Sequence, residues 1–131
     1  MEGQPNMGTA EELAFLLQDS GTALVDASDV LHAIDKALAA RNKLMPRGMT
    51  QADAWMAKYG NPLASTEAAL AVAGMLPNMH NLTIAVHPTI NRALVEVYYD
   101  GPGGHAVGDT LPIAICAAVM DALDKKEKAN V

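Results

Sequence analysis

Cysteine occurs once in these 131 residues, at Cys116. No intramolecular disulfide can form, and the position of Cys116 inside an apolar run reads as a buried, inert thiol in a reducing compartment. Aromatics are also scarce, with one Phe, one Trp and three Tyr. Their scarcity, beside an apolar half rich in Ala and Met, favours closely approaching helices over a large aromatic core. Basic residues are few, nine Lys and Arg against fifteen Asp and Glu, for a net charge of −6 and a pI near 5.0. Nucleic-acid binding is not expected, because neutralising phosphates takes clustered cations and these are scattered. The carboxylates are equally dispersed, so they do not form the dense acidic face that would imitate nucleic acid. No stretch approaches the eighteen or more apolar residues of a membrane span, and residues 1–8 lack the basic start and apolar centre of a signal peptide. The expectation is a cytoplasmic protein with no membrane partner.

What is present suffices for one domain over 1–131, since a chain of this length buries a core without staples. Residues 1–62 read as mainly helical. Thr9-Ala10-Glu11-Glu12 is a capping-box pattern, followed by Leu13, Leu16 and Leu17 at helical spacing and by Gly21 as a stop. A second helix starts near Asp26 or Ser28, carries Val30, Leu31, Ile34 and Leu38 on one face and runs to about Asn42. Pro46 and Gly48 break the pattern over 43–50. A short helix is predicted from Gln51 to Tyr59 with Trp55 as its large anchor, ended by Gly60-Asn61-Pro62. Another is predicted over 65–75, capped by Ser65 or Thr66, apolar almost all round and so buried.

Beyond Pro77 the period drops to two. Leu82, Ile84 and Val86 alternate with Thr83, Ala85 and His87, and Ala93, Val95, Val97 and Tyr99 alternate with Leu94, Glu96 and Tyr98. Two strands with a short connection predict an antiparallel hairpin. Residues 101–109, Gly-Pro-Gly-Gly-His-Ala-Val-Gly-Asp, read as a flexible loop whose Asp109 caps a final helix from Thr110 to about Lys126, with Pro112 in its first turn. The fold class is α/β in the α+β sense: helices on a small antiparallel sheet, a C-terminal helix-strand-strand-helix unit over 65–124 and an N-terminal helical extension. Because a hairpin alone is marginal, a third strand is expected from residues 22–25, or the strand edges pair between subunits in a homo-oligomer, with a dimer preferred.

The helix-strand-strand-helix segment from about Ser65 to Leu123 resembles the phage ABA sandwich domain, a family of small phage and prophage proteins. The paired strands carry the resemblance, and above all Asp109-Thr110-Leu111-Pro112-Ile113-Ala114-Ile115-Cys116-Ala117-Ala118, similar to the family's closing pattern of Thr, Pro, Ala-Ile-Cys and alanines. It covers a little under half the chain, and residues 1–62 depart from the short family pattern. The resemblance implies a phage or prophage origin and helices layered on a small sheet. It implies no activity and no catalytic residues.

Chemistry-bearing constellations are sparse. His32, His80, His87 and His105 do not take metal-ligand spacing, so neither a metal nor another cofactor is expected. The glycine-rich loop lacks the P-loop and dinucleotide patterns. Its ligand-binding reading assigns Gly103, Gly104, His105 and Thr110 to an anion, against the alternative of a plain strand-to-helix connector. No Ser, Thr or Cys is paired with a base, and an enzyme is not expected, although an enzyme or a small-molecule or nucleotide binder using 101–110 is the main alternative. Met45, Met49 and Trp55 read either as a partner-binding groove or as core filling between Ala-rich helices. The functional expectation is a phage or prophage accessory protein that binds a host protein, inhibiting or sequestering a host defence factor. A virion structural subunit is the third reading.

Overall fold

Leucines three and four residues apart put one stripe of a helix into the core. In the computed structural model, which describes residues 10–21, 25–38, 51–76, 79, 81–87 and 92–129, this stripe builds α1 (Ala10–Ser20). Leu13 and Leu17 are fully buried, while Glu11, Phe15 and Asp19 lie outside. Gly21 ends the helix with a left-handed φ of 61° and donates its N–H to the Leu17 carbonyl at 3.1 Å, a conformation that only glycine adopts at little cost. The Thr9 cap lies outside the described residues. At the start of α2 (Ala27–Leu38) the Asp26 carbonyl accepts from Asp29 and Val30, and the Asp29 carboxylate accepts from the Asp26 N–H at 3.0 Å. This reciprocal cap satisfies an otherwise orphaned donor. Val30, Leu31 and Ile34 face the core and His32 faces out.

Trp55 anchors α3 (Gln51–Tyr59), and its ring lies 4.7 Å from that of Tyr59 one turn on. Ser65 caps α4 (Thr66–Ala73), its hydroxyl accepting from the Ala68 N–H at 3.3 Å. This helix is less enclosed than its composition suggests: Ala68, Ala69, Val72 and Ala73 are buried, but Leu70 is 42% exposed. Small alanines occupy the buried side, so the one large side chain there is left at the surface.

The sheet corrects two expectations. Strands β1 (Asn81–His87) and β2 (Arg92–Tyr99) pair antiparallel as the alternation predicts, Ile84 opposite Val95. The third strand does not include Val25, the one described residue of the 22–25 segment. It is the glycine-rich stretch itself, β3 (Gly101–Gly108), antiparallel to β2 in the order β1-β2-β3. The register shifts between Val97 and Tyr99, where β3 carries one extra residue, so Pro102 and Gly103 together stand opposite Tyr98 and proline falls within a bulge, a position where its missing N–H is tolerated. The flexible-connector reading of 101–109 therefore fails, and only Asp109 and Thr110 separate strand from helix.

The final helix, α5 (Leu111–Ala129), explains the glycines. Gly104, Ala106 and Gly108 form the buried face of β3, and Ala114, Ala118 and Ala122, spaced one turn apart, form the facing stripe of α5. A Cβ on Gly104 would collide with the Ala118 carbonyl and stand 2.5 Å from the Ala122 nitrogen; one on Gly108 would stand 2.7 Å from the Ala114 nitrogen. Helix and strand backbones are in direct contact there. Around that contact α1, α4 and α5 bury Val95, Val97, Ile115, Val119 and Met120, giving helices on one face of an antiparallel sheet, an α+β fold. Gly104→Ala is expected to lower the unfolding free energy by about 3 kcal/mol through overpacking against backbone that cannot yield. The same change at Gly74, where φ is −66° and the nearest atoms are 3.5 Å away, should be neutral or stabilise by up to about 1 kcal/mol. Urea unfolding of the two variants checks the contrast.

Candidate functional site

The four residues assigned to an anion loop are separated by the fold. Gly103 and Gly104 are strand residues, and Gly104 is pressed against α5 where no ligand can reach its backbone. His105 is 64% exposed on its side chain; its backbone N–H donates to Asp121 Oδ2 at 3.0 Å, and its Nδ1 stands 3.9 Å from the same oxygen. Asp121 also pairs with Lys125 at 2.9 Å, one turn along α5. Gly103, Gly104 and His105 thus lie in a strand and not in a loop, with the Gly104 backbone packed on α5 and the His105 amide taken by Asp121.

A second side chain works on the same edge. Gln18 of α1 accepts from the Val107 N–H through Oε1 at 3.1 Å and donates to the Ala14 carbonyl at 3.1 Å, and its own carbonyl accepts from Arg92 Nη2 at 2.7 Å. Arg92 Nε lies 3.1 Å from Asp109 Oδ1. Asp109 is therefore an ion-pair partner across the sheet end, and not the cap of α5. The residue before the helix is Thr110, whose carbonyl accepts from Ala114 at 3.0 Å. With Asp109 70% exposed, the pair contributes at most about 1 kcal/mol.

Thr110 reaches a cleft that sequence reasoning did not find. Its volume is about 560 Å³, and it lies where the first turns of α2, α4 and α5 come together beside the α3–α4 connection. Asp26, Asn61, Thr66 and Thr110 supply its polar groups; Val25, Leu63, Pro112 and Ile113 supply apolar wall. Asn61 is fixed by accepting from the Leu63 N–H at 2.9 Å. Three separate stretches of chain line it, so no local motif announces it. The size falls within the range of small-molecule sites. No Lys or Arg is among its lining residues and Asp26 is, so the walls favour a neutral or amphipathic molecule over a phosphate.

Trp55, read as part of a partner groove, is 3% exposed and offers a partner no surface. Met45 and Met49 lie outside the described residues, as do His80 and the side chain of His87. Met56, Met75 and Met79 pack on the core, in keeping with the core-filling alternative. Among the described residues no helix is long and apolar enough to cross a membrane. Comparison with known proteins gives no match to a family model, to a curated protein or to a solved structure.

Cys116 is fully buried in α5, with its Sγ donating to the Pro62 carbonyl at 3.4 Å, and burial pushes its thiol up to about 12. Such a thiol is no nucleophile at neutral pH. Because the folded value lies above the ordinary 9.0, the unfolded chain sheds this proton first as pH rises. The contribution of Cys116 is intact below about pH 9 and falls away between there and about 12. The stability advantage of wild type over Cys116→Ala should shrink by about 1.4 kcal/mol per pH unit across that window. Denaturant titrations in alkaline buffers measure the slope, and native protein should resist thiol reagents at pH 8 until unfolded.

Proposed function

We propose that this chain is a small phage or prophage accessory protein that acts by binding a host protein, inhibiting or sequestering it, and that the helix-free face of the sheet is its binding surface. The observation that carries this reading lies on β2. On that face of the central strand Leu94 is 37% and Tyr98 41% exposed, on either side of Glu96. Ala85 on β1 and Val107 on β3 stand opposite Leu94 and widen the apolar patch. Large apolar side chains grouped at the middle of an open sheet face mark an interaction surface more often than chance. The resemblance of residues 65–123 to phage proteins, and a single cysteine held as a thiol, point the same way. Replacing Leu94 by Lys together with Tyr98 by Ser removes the patch without touching the core. In affinity purification from host lysate, a protein retained by wild type should be lost by the double variant at unchanged melting temperature. Equal retention by both would overturn the assignment of this face.

The cleft at the starts of α2, α4 and α5 favours a second reading, a binder of a small neutral or amphipathic molecule with Thr110 on its wall. Ala64 lies exposed at the rim. Under this reading native mass spectrometry finds a small molecule that co-purifies with wild type and is absent from Ala64→Trp, whose indole would fill the opening. A wild-type mass equal to that of the bare chain removes this alternative.

A further inference from the structure

The two edges of the sheet are treated differently. The N–H groups of His105 and Val107 point away from β2, and each is taken by a side chain, Asp121 from α5 and Gln18 from α1. With Pro102 and the bulge at its beginning, β3 carries several of the devices that stop a sheet from extending. Among the described residues the opposite edge carries none. Since residues 105 and 107 face outward, the alternation of an antiparallel ladder turns Gly104, Ala106 and Gly108 toward β2, and turns Leu94, Glu96 and Tyr98 of β2 toward β1. The same alternation leaves the N–H and C=O groups of Leu82, Ile84 and Val86 on the free edge.

That edge is a seven-residue strand, Asn-Leu-Thr-Ile-Ala-Val-His, without Asp, Glu, Lys, Arg, Pro or a bulge. Its inner side is also unfinished. Ile84 stands opposite the fully buried Val95, on the face that α5 covers over β2 and β3, yet it is 44% exposed. Leu82 still packs on the core, but among the described residues no helix covers Ile84 and no strand pairs with the outer edge of β1.

We infer that a second copy of this chain adds to β1, antiparallel to its own symmetry mate, to make a six-stranded sheet in the order β3-β2-β1-β1-β2-β3. The strand is self-complementary for this arrangement. With the two-fold axis beside Ile84, all seven residues pair, Asn81 opposite His87 and Ile84 opposite itself, and no ionised side chains confront one another. For a chain of net charge −6, self-association is least opposed at a strand that contributes none of that charge. Antiparallel pairing across an axis perpendicular to the sheet puts both helical layers on one side and joins the two exposed Ile84 side chains. This inference does not depend on what the helix-free face binds.

Sedimentation equilibrium and amide exchange of the full chain test it. At tens of micromolar the wild type should run at twice 13.7 kDa, with the amides of Leu82, Ile84 and Val86 protected. Ile84→Lys and Ile84→Glu place like charges face to face and should each weaken the dimer by roughly a hundredfold or more, while their mixture restores it. Ile84→Pro, whose nitrogen faces the open edge and gives up no bond to β2, should also be monomeric. A wild-type monomer overturns the inference, as does a dimer that survives these substitutions. So does free exchange of the three edge amides in a wild-type dimer, a readout that requires no variant to fold. Protection of those amides only when another protein is bound would assign the edge to a foreign strand, and that too overturns it.

Discussion

Everything in this fold is placed by the direct contact of two backbones, β3 and α5. Side chains normally hold a helix about 10 Å from a sheet; here glycine and alanine on both partners remove that spacing. The match is positional, since Gly104 and Gly108 meet Ala114, Ala118 and Ala122 and a methyl group on either glycine would enter helix backbone. Once α5 is seated, β3 has a fixed inner face, and its alternate residues His105 and Val107 are fixed outside. Their amides fall to Asp121 and Gln18, and the first turn of α5 falls beside those of α2 and α4 to make the cleft.

The core that grows from this contact is apolar among the described residues, with its polar links at the margins. The Tyr99 hydroxyl is buried at the edge of this core, and the Cys116 thiol serves as a weak donor tying α5 to the turn before α4. Shape, more than hydrogen bonding, selects this packing, because Ala-rich helices admit few large neighbours and Trp55, Leu31, Ile34 and Met120 must fill what remains. Among the described residues the helices lie on one side of the sheet and the other face is built from strand residues, whose successive side chains alternate between core and solvent.

Periodicity carried most of the architecture. The boundaries of α3, the reciprocal cap of α2, the stop at Gly21 and the pairing of β1 with β2 all follow from local chemistry that acts over four or five residues. β3 was hidden because Gly-Pro-Gly-Gly is ordinary turn composition, and its period-two signal is written in side-chain smallness, Gly104-Ala106-Gly108 against His105-Val107. The complementary sign was present in Ala114, Ala118 and Ala122, a four-residue stripe too small to serve as a normal core face. Asp109 was misread as a cap because Arg92, which claims it, is seventeen residues away in sequence and one strand away in space. The cleft could not be read at all, being assembled from three segments that share no motif.

One long-range tie also constrains how the molecule comes into being. Gln18 holds Arg92 and Val107, 74 and 89 residues further on, and α1 packs against α5. On the ribosome, α1 therefore emerges with Leu13 and Leu17 uncovered and waits through the synthesis of nearly the whole chain before its docking surface exists. Docking of α1 on α5 closes the longest loop of the fold and is slow for that reason, whereas α5 meets β3, β2 and α4 without it. A chain that lacks α5 accordingly leaves the Leu13 and Leu17 stripe of α1 without the surface that covers it.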